Sequence, residues 1–178
     1  MTILHTERLE LRPVTLPVVI AVLEGKRRTD IEAMLGAELP WSWPSRALLE
    51  QSFRASLEEI RRDPETRLWG DRLMITREVT PRVVGSVVFH GRPRPDGECE
   101  LAFGVEDAYQ RQGFASEGVR ACLDWALAQP ECRVVVVNAM RWDKASLRLL
   151  AKLGATPREG AVTPKGEDFV LYEKRRPE

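Results

Sequence analysis

The chain has 178 residues, 43% of them hydrophobic and 30% charged, one globular domain's worth at roughly 100–200 residues per domain and well away from disorder. Its 27 Lys and Arg balance 27 Asp and Glu, so no net field recruits a polyanion and a nucleic-acid binder is not expected. The longest nearly apolar run, Leu16 to Leu23, has eight residues and includes Pro17, well short of the about 20 a membrane span needs.

The opening MTILHTERLELRP mixes acids with bases where a signal peptide carries an apolar stretch, so a cytoplasmic location is expected. Leu9, Leu11 and Pro13 alternate with Glu10 and Arg12, the period of two of a half-buried strand starting near Arg8. From Pro17 to about Leu39, apolar positions recur at helical spacing around the charged stretch Lys26 to Asp30, which predicts two short helices. After Trp41-Ser42-Trp43-Pro44, Ser45 is placed to cap a longer helix reaching about Arg62 and stopped by Asp63-Pro64. Strand patterns at Arg67–Thr76, Arg82–His90 and Glu98–Val105 then predict an antiparallel meander.

Ala115 to Leu127 puts Ala115, Val119, Cys122, Leu123 and Ala126 on one helical face. Arg133 to Asn138 holds four consecutive valines, too β-branched for a helix and apolar enough for a central strand. A helix from Asp143 to Leu153 stops at Gly154, and strands near Thr156–Val162 and Asp168–Glu173 close the chain. The expectation is one mixed α/β domain spanning residues 1–178. Cys99, Cys122 and Cys132 are odd in number and widely spaced, which fits neither a disulfide framework nor a C-x-x-C clip. With His5 and His90 the only histidines, no metal site is expected.

The segment from Glu100 to Arg120 runs from a strand through Gln110-Arg111-Gln112-Gly113-Phe114-Ala115 into a helix. Free amide groups and the helix dipole make such a junction a phosphate cradle, with Gly113 permitting close approach and small Ala115 letting the helix sit near the strand. An ordinary strand-to-helix connection is the alternative on this motif alone.

Its neighbours carry a resemblance. Gln-x-x-Gly-x-Ala at 110–115, after Glu100-Leu-Ala-Phe103 and before Glu117, is similar to the acetyl-coenzyme A loop of the GNAT acetyltransferases. Thr6 to Pro13, Asp143-Lys144-Ala145-Ser146 and Lys152-Leu153-Gly154-Ala155 resemble segments of the RimJ/RimL-type branch. The resemblance implies a mixed, mostly antiparallel sheet splayed between its fourth and fifth strands, the one ending at Val105 and the one starting at Arg133. It implies acetyl transfer from acetyl-coenzyme A to a primary amine, of a protein N-terminus or a small molecule, with a homodimer left open. The coenzyme contacts it implies are Gln110, Arg111, Gln112, Gly113, Phe114, Ala115 and Ser116, with Asp143 on the pantetheine and Arg111 and Lys144 at the anionic end. A backbone N–H near Phe103 to Val105 would meet the developing oxyanion if the strand bulges at Gly104.

Glu100 aligns with the family's acidic residue on the fourth strand, where a carboxylate can take a proton from the acceptor ammonium. Alternation puts Glu98 beside it and Cys99 and Leu101 on the other face. Three positions depart from the pattern: Asp143 replaces Asn, Ala155 replaces Phe, and Leu150 stands where many members have a general-acid tyrosine. Ser146 is then the nearest group to protonate the leaving thiolate. Trp41 and Trp43 flank helices that roof the acceptor site in this family, so substrate contact and packing are both open for them. Cys122, on an apolar face with no histidine near it in sequence, speaks against covalent catalysis. Lys144, Arg148 and Lys152 form a basic stripe on the last helix, most simply a solvated face. A sensing or interaction module that has lost turnover is the second function class.

Overall fold

The computed structural model describes residues 2–46, 48–158 and 168–178. A short strand β1 (Leu4–His5) pairs with β2 (Leu9–Pro13), in which Leu9 and Leu11 are fully buried. β3 (Asp71–Thr76), β4 (Val83–Phe89) and β5 (Glu98–Val105) continue as the expected antiparallel meander. β6 (Val134–Met140) joins β5 in parallel, and β8 (Phe169–Arg175) and β7 (Thr156–Pro157) complete the order β1-β2-β3-β4-β5-β6-β8-β7. The four valines at the start of β6 are buried, as a strand covered on both faces requires.

Because side chains alternate along a strand, β3 serves two cores at once. Leu73 and Ile75 pack with Val18 and Val19 of helix α1 (Leu16–Leu23), Ile31 and Leu35 of α2 (Arg28–Leu35), and Phe53. Met74, between them, points to the opposite face and packs with α4 (Phe114–Ala128). A Cβ on Gly118 of α4 would lie 3.0 Å from Met74 Cε, so the missing side chain sets how closely helix and sheet approach. Helix α5 (Lys144–Lys152) closes the same layer through fully buried Leu150. Trp69, Phe89 and Trp125 form an aromatic cluster there, with centroids 4.7–5.7 Å apart.

The sequence-based pattern needs correction in two places. The helix expected from Ser45 to Arg62 is two pieces, a π-helical turn at Leu48–Arg54 and a short helix α3 at Leu57–Arg62. Ser45 Oγ does accept from Leu48 N (3.0 Å), and the wider i→i+5 turn brings Leu48 and Phe53, five apart, to one core. The strand expected from Arg67 begins only at Asp71. Pro64–Trp69 is a 3₁₀ helix, started by Asp63 accepting from Glu65 N (3.1 Å) and held by buried Arg67, which donates to Val14 O (2.9 Å) and to Asp71. The penultimate strand is confined to Thr156–Pro157 among the described residues, and residues 159–162 of the expected strand lie outside them.

Candidate active site

The sheet opens between β5 and β6. Parallel pairing covers only Glu98–Glu100 against Val134–Val136, whereas β5 remains paired with β4 from Leu101 to Val105. The expected bulge at Gly104 is absent; the register shift lies in the β3–β4 pairing, between Met74 and Ile75. Loss of the β6 partner, rather than a bulge, frees backbone groups of β5. Glu100 O accepts from His90 N, and Glu106 N donates to Val84 O, so these residues turn their backbone groups toward β4. Alternation turns the N–H groups of Phe103 and Val105 the other way, into the opening. Gly85 allows the two strands this closeness, since a Cβ there would lie 2.3 Å from Gly104 O.

A cavity of about 490 Å³ fills the opening. Phe103 and Val105, the loop residues Gln110, Arg111, Gly113, Phe114, Ala115 and Ser116, and Asp143 and Ser146 of the last helix all line it. Gly113 is the residue before α4 and takes φ +83°; Arg111 takes φ +63°, uncommon for a side-chain-bearing residue. The first amides of α4 have no partner within the helix, and no side chain caps them. A group carrying phosphates fits this cradle, which a Cβ on Gly113 would crowd against Arg8 Nη2 at 3.2 Å.

The loop is clamped from the N-terminal strands. Arg8 donates through Nη1 to Gln112 O (2.8 Å) and through Nε to Glu117 Oε1 (2.9 Å), and its guanidinium lies 4.4 Å from the Phe114 ring centroid. Arg8 N and Thr6 Oγ1 also donate to Glu117. Burial pushes the Glu117 carboxyl up, and these hydrogen bonds more than offset it, leaving it below the usual carboxylate range. Gln112 therefore supports the loop with its carbonyl and does not line the cavity. Lys144 is exposed and outside the lining as well. Tyr109, Ala145 and Leu149 line the cavity without having been singled out in the sequence.

At the other end of the cavity Asp143 caps α5, accepting from Ser146 N (3.1 Å) and from Ser146 Oγ (2.6 Å). The Ser146 hydroxyl hydrogen is thus committed to a carboxylate, and its oxygen presents lone pairs.

A second cavity of about 570 Å³ lies across β5. Its walls include Ser45, Ser52, Ser56 and Glu59 of the early helices and His90, Gly91 and Ala102 of the sheet. Ala102 and Phe103 are consecutive residues of β5, so the two cavities lie on opposite faces of one stretch of strand. Glu100 sits at the fork, where Asn138 Nδ2 donates to its Oε1 (3.0 Å) and His90 Nδ1 lies 3.4 Å from the same oxygen. Trp43 is in the core, edge-on to Phe53 with centroids 6.3 Å apart, and Trp41 is 90% exposed beneath Arg28; neither lines either of these two cavities.

A family model described as the acetyltransferase (GNAT) domain matches residues 8–156. The chain belongs to the GNAT acetyltransferase family. It is 26% identical over 152 residues to an N-acetyltransferase of Bacillus subtilis (strain 168), YoaA, itself uncharacterized, covering 85% of this chain and 81% of that protein. Among solved structures, the ribosomal-protein-S5-alanine acetyltransferase from Vibrio fischeri superposes with a TM-score of 0.69 at 16% identity, covering 99% and 97% of the two chains. RimL, a ribosomal L7/L12 α-N-protein acetyltransferase solved with coenzyme A, superposes with a TM-score of 0.60 at 14% identity over 98% of each chain.

Against the GNAT pattern, Leu150 is wholly buried and supplies no proton. None of the three cysteines lines the site. Burial pushes the Cys122 thiol up to about 12. Cys99 and Cys132 face each other with sulfurs 3.6 Å apart, and that contact, with burial, pushes the Cys99 thiol up. Among the described residues no group of three or more His, Cys, Asp or Glu is placed to hold a metal, and no helix is long and apolar enough to cross a membrane.

Proposed function

We propose that this GNAT domain moves an acetyl group from acetyl-coenzyme A to a primary amine by direct attack, without a covalent enzyme intermediate. The observation that carries the proposal is the pair of cavities on opposite faces of β5 where it parts from β6. One is lined by a helix start and outward-facing amides, the other by hydroxyls, His90 and the carboxylate of Glu59. Bound acetyl-coenzyme A supplies the thioester carbonyl. The amides of α4 and of residues 111–113 hold its phosphates, and the N–H groups of Phe103 and Val105 align the pantetheine and polarise the carbonyl. Asp143 and Ser146 present acceptor oxygens to an amide N–H of the pantetheine. None of the three cysteines lines either cavity, and the raised thiols of Cys99 and Cys122 stay protonated, which supports direct attack.

The likeness to ribosomal-protein acetyltransferases puts a protein or peptide N-terminus first among acceptors, with small amines second. Isothermal titration with acetyl-coenzyme A and an assay of free thiol release test both halves. The acceptors are peptides with free α-amino groups, polyamines, amino sugars and amino acids. Saturable binding with thiol release for one class is the expected result, and absence of binding at high micromolar concentration overturns it. One observation favours sensing without turnover: Leu150 is buried and the Ser146 proton is held by Asp143, so neither side chain protonates the thiolate. That reading predicts binding with no thiol release from any amine.

A further inference from the structure

We infer that His90 takes the proton from the acceptor ammonium, with Glu100, itself held by Asn138, orienting its ring. This rests on the amine-transfer function proposed above and assigns a catalytic residue that neither sequence pattern nor family likeness marked.

His90 follows the last residue of β4 and stands directly across from Glu100 of β5. Its backbone is fixed on both sides: His90 N donates to Glu100 O (2.9 Å), Phe89 N to Gly70 O (2.9 Å) and Gly91 N to Trp69 O (3.0 Å). The side chain lines the second cavity, whereas Glu100 does not. Nδ1 lies 3.4 Å from Glu100 Oε1, the oxygen that Asn138 also fixes at 3.0 Å, and Nε2 makes no hydrogen bond among the described residues. A carboxylate at Nδ1 selects the tautomer with its proton there, leaves Nε2 as the basic nitrogen, and stabilises the imidazolium that forms. The cavity reaches Ala102, two residues along β5 from Glu100 on the same face, and the thioester slot begins at Phe103.

The charged groups facing His90 from the surrounding elements are Glu100 on β5, Glu59 across the cavity, and Arg67, which is tied to Asp71. Arg92, two residues on, is paired with Asp63. The step balances as follows. Nε2 takes a proton from the ammonium; the freed lone pair forms the C–N bond; the C–S bond breaks. The thiolate takes the remaining excess proton from the new amide nitrogen, and the imidazolium releases one proton to solvent. No acid beyond the amine itself is needed, so the engaged Ser146 and buried Leu150 are no obstacle.

Three variants and two kinds of acceptor decide it: His90→Gln, Glu100→Gln and Asn138→Ala, each with the best alkylamine acceptor of the panel and with hydroxylamine, which is unprotonated at neutral pH. His90→Gln should lower kcat for the alkylamine by about 10²-fold and remove the ionisation of the attacking base from the kcat profile. KM for acetyl-coenzyme A should stay within about twofold, the split expected when only a transition-state interaction is lost. Hydroxylamine transfer should fall far less, a selectivity that a merely structural role does not produce. Glu100→Gln and Asn138→Ala should retain the ionisation at reduced kcat. Wild-type alkylamine kcat in His90→Gln, or a loss equal for both acceptors, overturns the role of His90 while leaving acetyl transfer in place. A wild-type enzyme that binds acetyl-coenzyme A but releases thiol with no amine overturns the transfer function itself, and His90's role with it.

Discussion

Gly113 is the residue on which the coenzyme cradle turns. Its φ of +83° lies in the left-handed region, which costs a side-chain-bearing residue roughly 1–2 kcal/mol, and more if β-branched. Gly113→Val should therefore weaken acetyl-coenzyme A binding by more than about 10-fold, one step of about 1.4 kcal/mol, while the chain stays folded. Calorimetry against a melting curve checks this; unchanged affinity would show that the phosphates lie elsewhere. Arg72 makes a different point. Its guanidinium is wholly buried 4.4 Å from the Trp125 ring centroid, yet among the described residues only Nη1 has a partner, Thr2 O at 2.9 Å, while Nε and Nη2 have none. Burial holds its pKa down. Each unmade buried bond costs about 1–3 kcal/mol, so Arg72→Met should melt at or above the wild-type temperature. A large fall in Tm would mean that stacking on Trp125 outweighs the orphaned donors.

Between elements, the Thr6–Arg8 corner clamps α4 to the sheet. Arg8 is about half exposed, so a single ion pair there contributes little. The arrangement works by geometry: one guanidinium fixes the Gln112 carbonyl, the Glu117 carboxylate and the Phe114 ring together. Arg8→Ala should weaken acetyl-coenzyme A affinity by about 10-fold, with a smaller effect on melting than a core substitution. Equal affinity in titration would reduce Arg8 to a surface contact. At the far side of the slot, Asp143→Ala removes the cap of α5 and should cost about 1 kcal/mol, read as a lower midpoint of urea unfolding; Asp143→Asn keeps a capping oxygen and should recover most of it.

For the whole molecule, stability should depend on acid in a stated direction. Glu117 and Glu173 both sit below the usual carboxylate range. In each case burial works against the charge and hydrogen bonds outweigh it, from Thr6 and Arg8 for Glu117 and from Arg158 and Arg175 for Glu173. A carboxyl depressed in the folded state contributes stability that is complete above its unfolded value, about 4.3, and is lost as pH falls through the folded value. The urea midpoint should thus be insensitive to these groups above about pH 5 and fall below about pH 4. Glu117→Gln should be less stable at neutral pH and lose less on acidification. A parallel acid limb in that variant would place the titration elsewhere.

What the sequence determined alone is local. The strand Glu98–Val105, the glycine before α4, the valine strand and the cap at Asp143 are written in alternation, helical period and turn residues, because each depends on neighbours within a turn or a pleat. The opening between β5 and β6 and most of the coenzyme cavity were legible only through the resemblance that Gln110–Ala115 and its neighbours carry to the GNAT loop. The tertiary structure decided what depends on distant partners. The Arg8–Glu117 clamp joins residues 109 positions apart. His90, Glu100 and Asn138 meet only through the register of β4, β5 and β6. Arg67 left the strand its pattern suggested because Val14 O and Asp71, folded against it, satisfy its guanidinium better than a pleated edge does. Trp43 went into the core and the Ser146 hydroxyl turned to donate to Asp143 for the same reason: a side chain's chemistry is set by what packing brings to it, and packing follows from the fold.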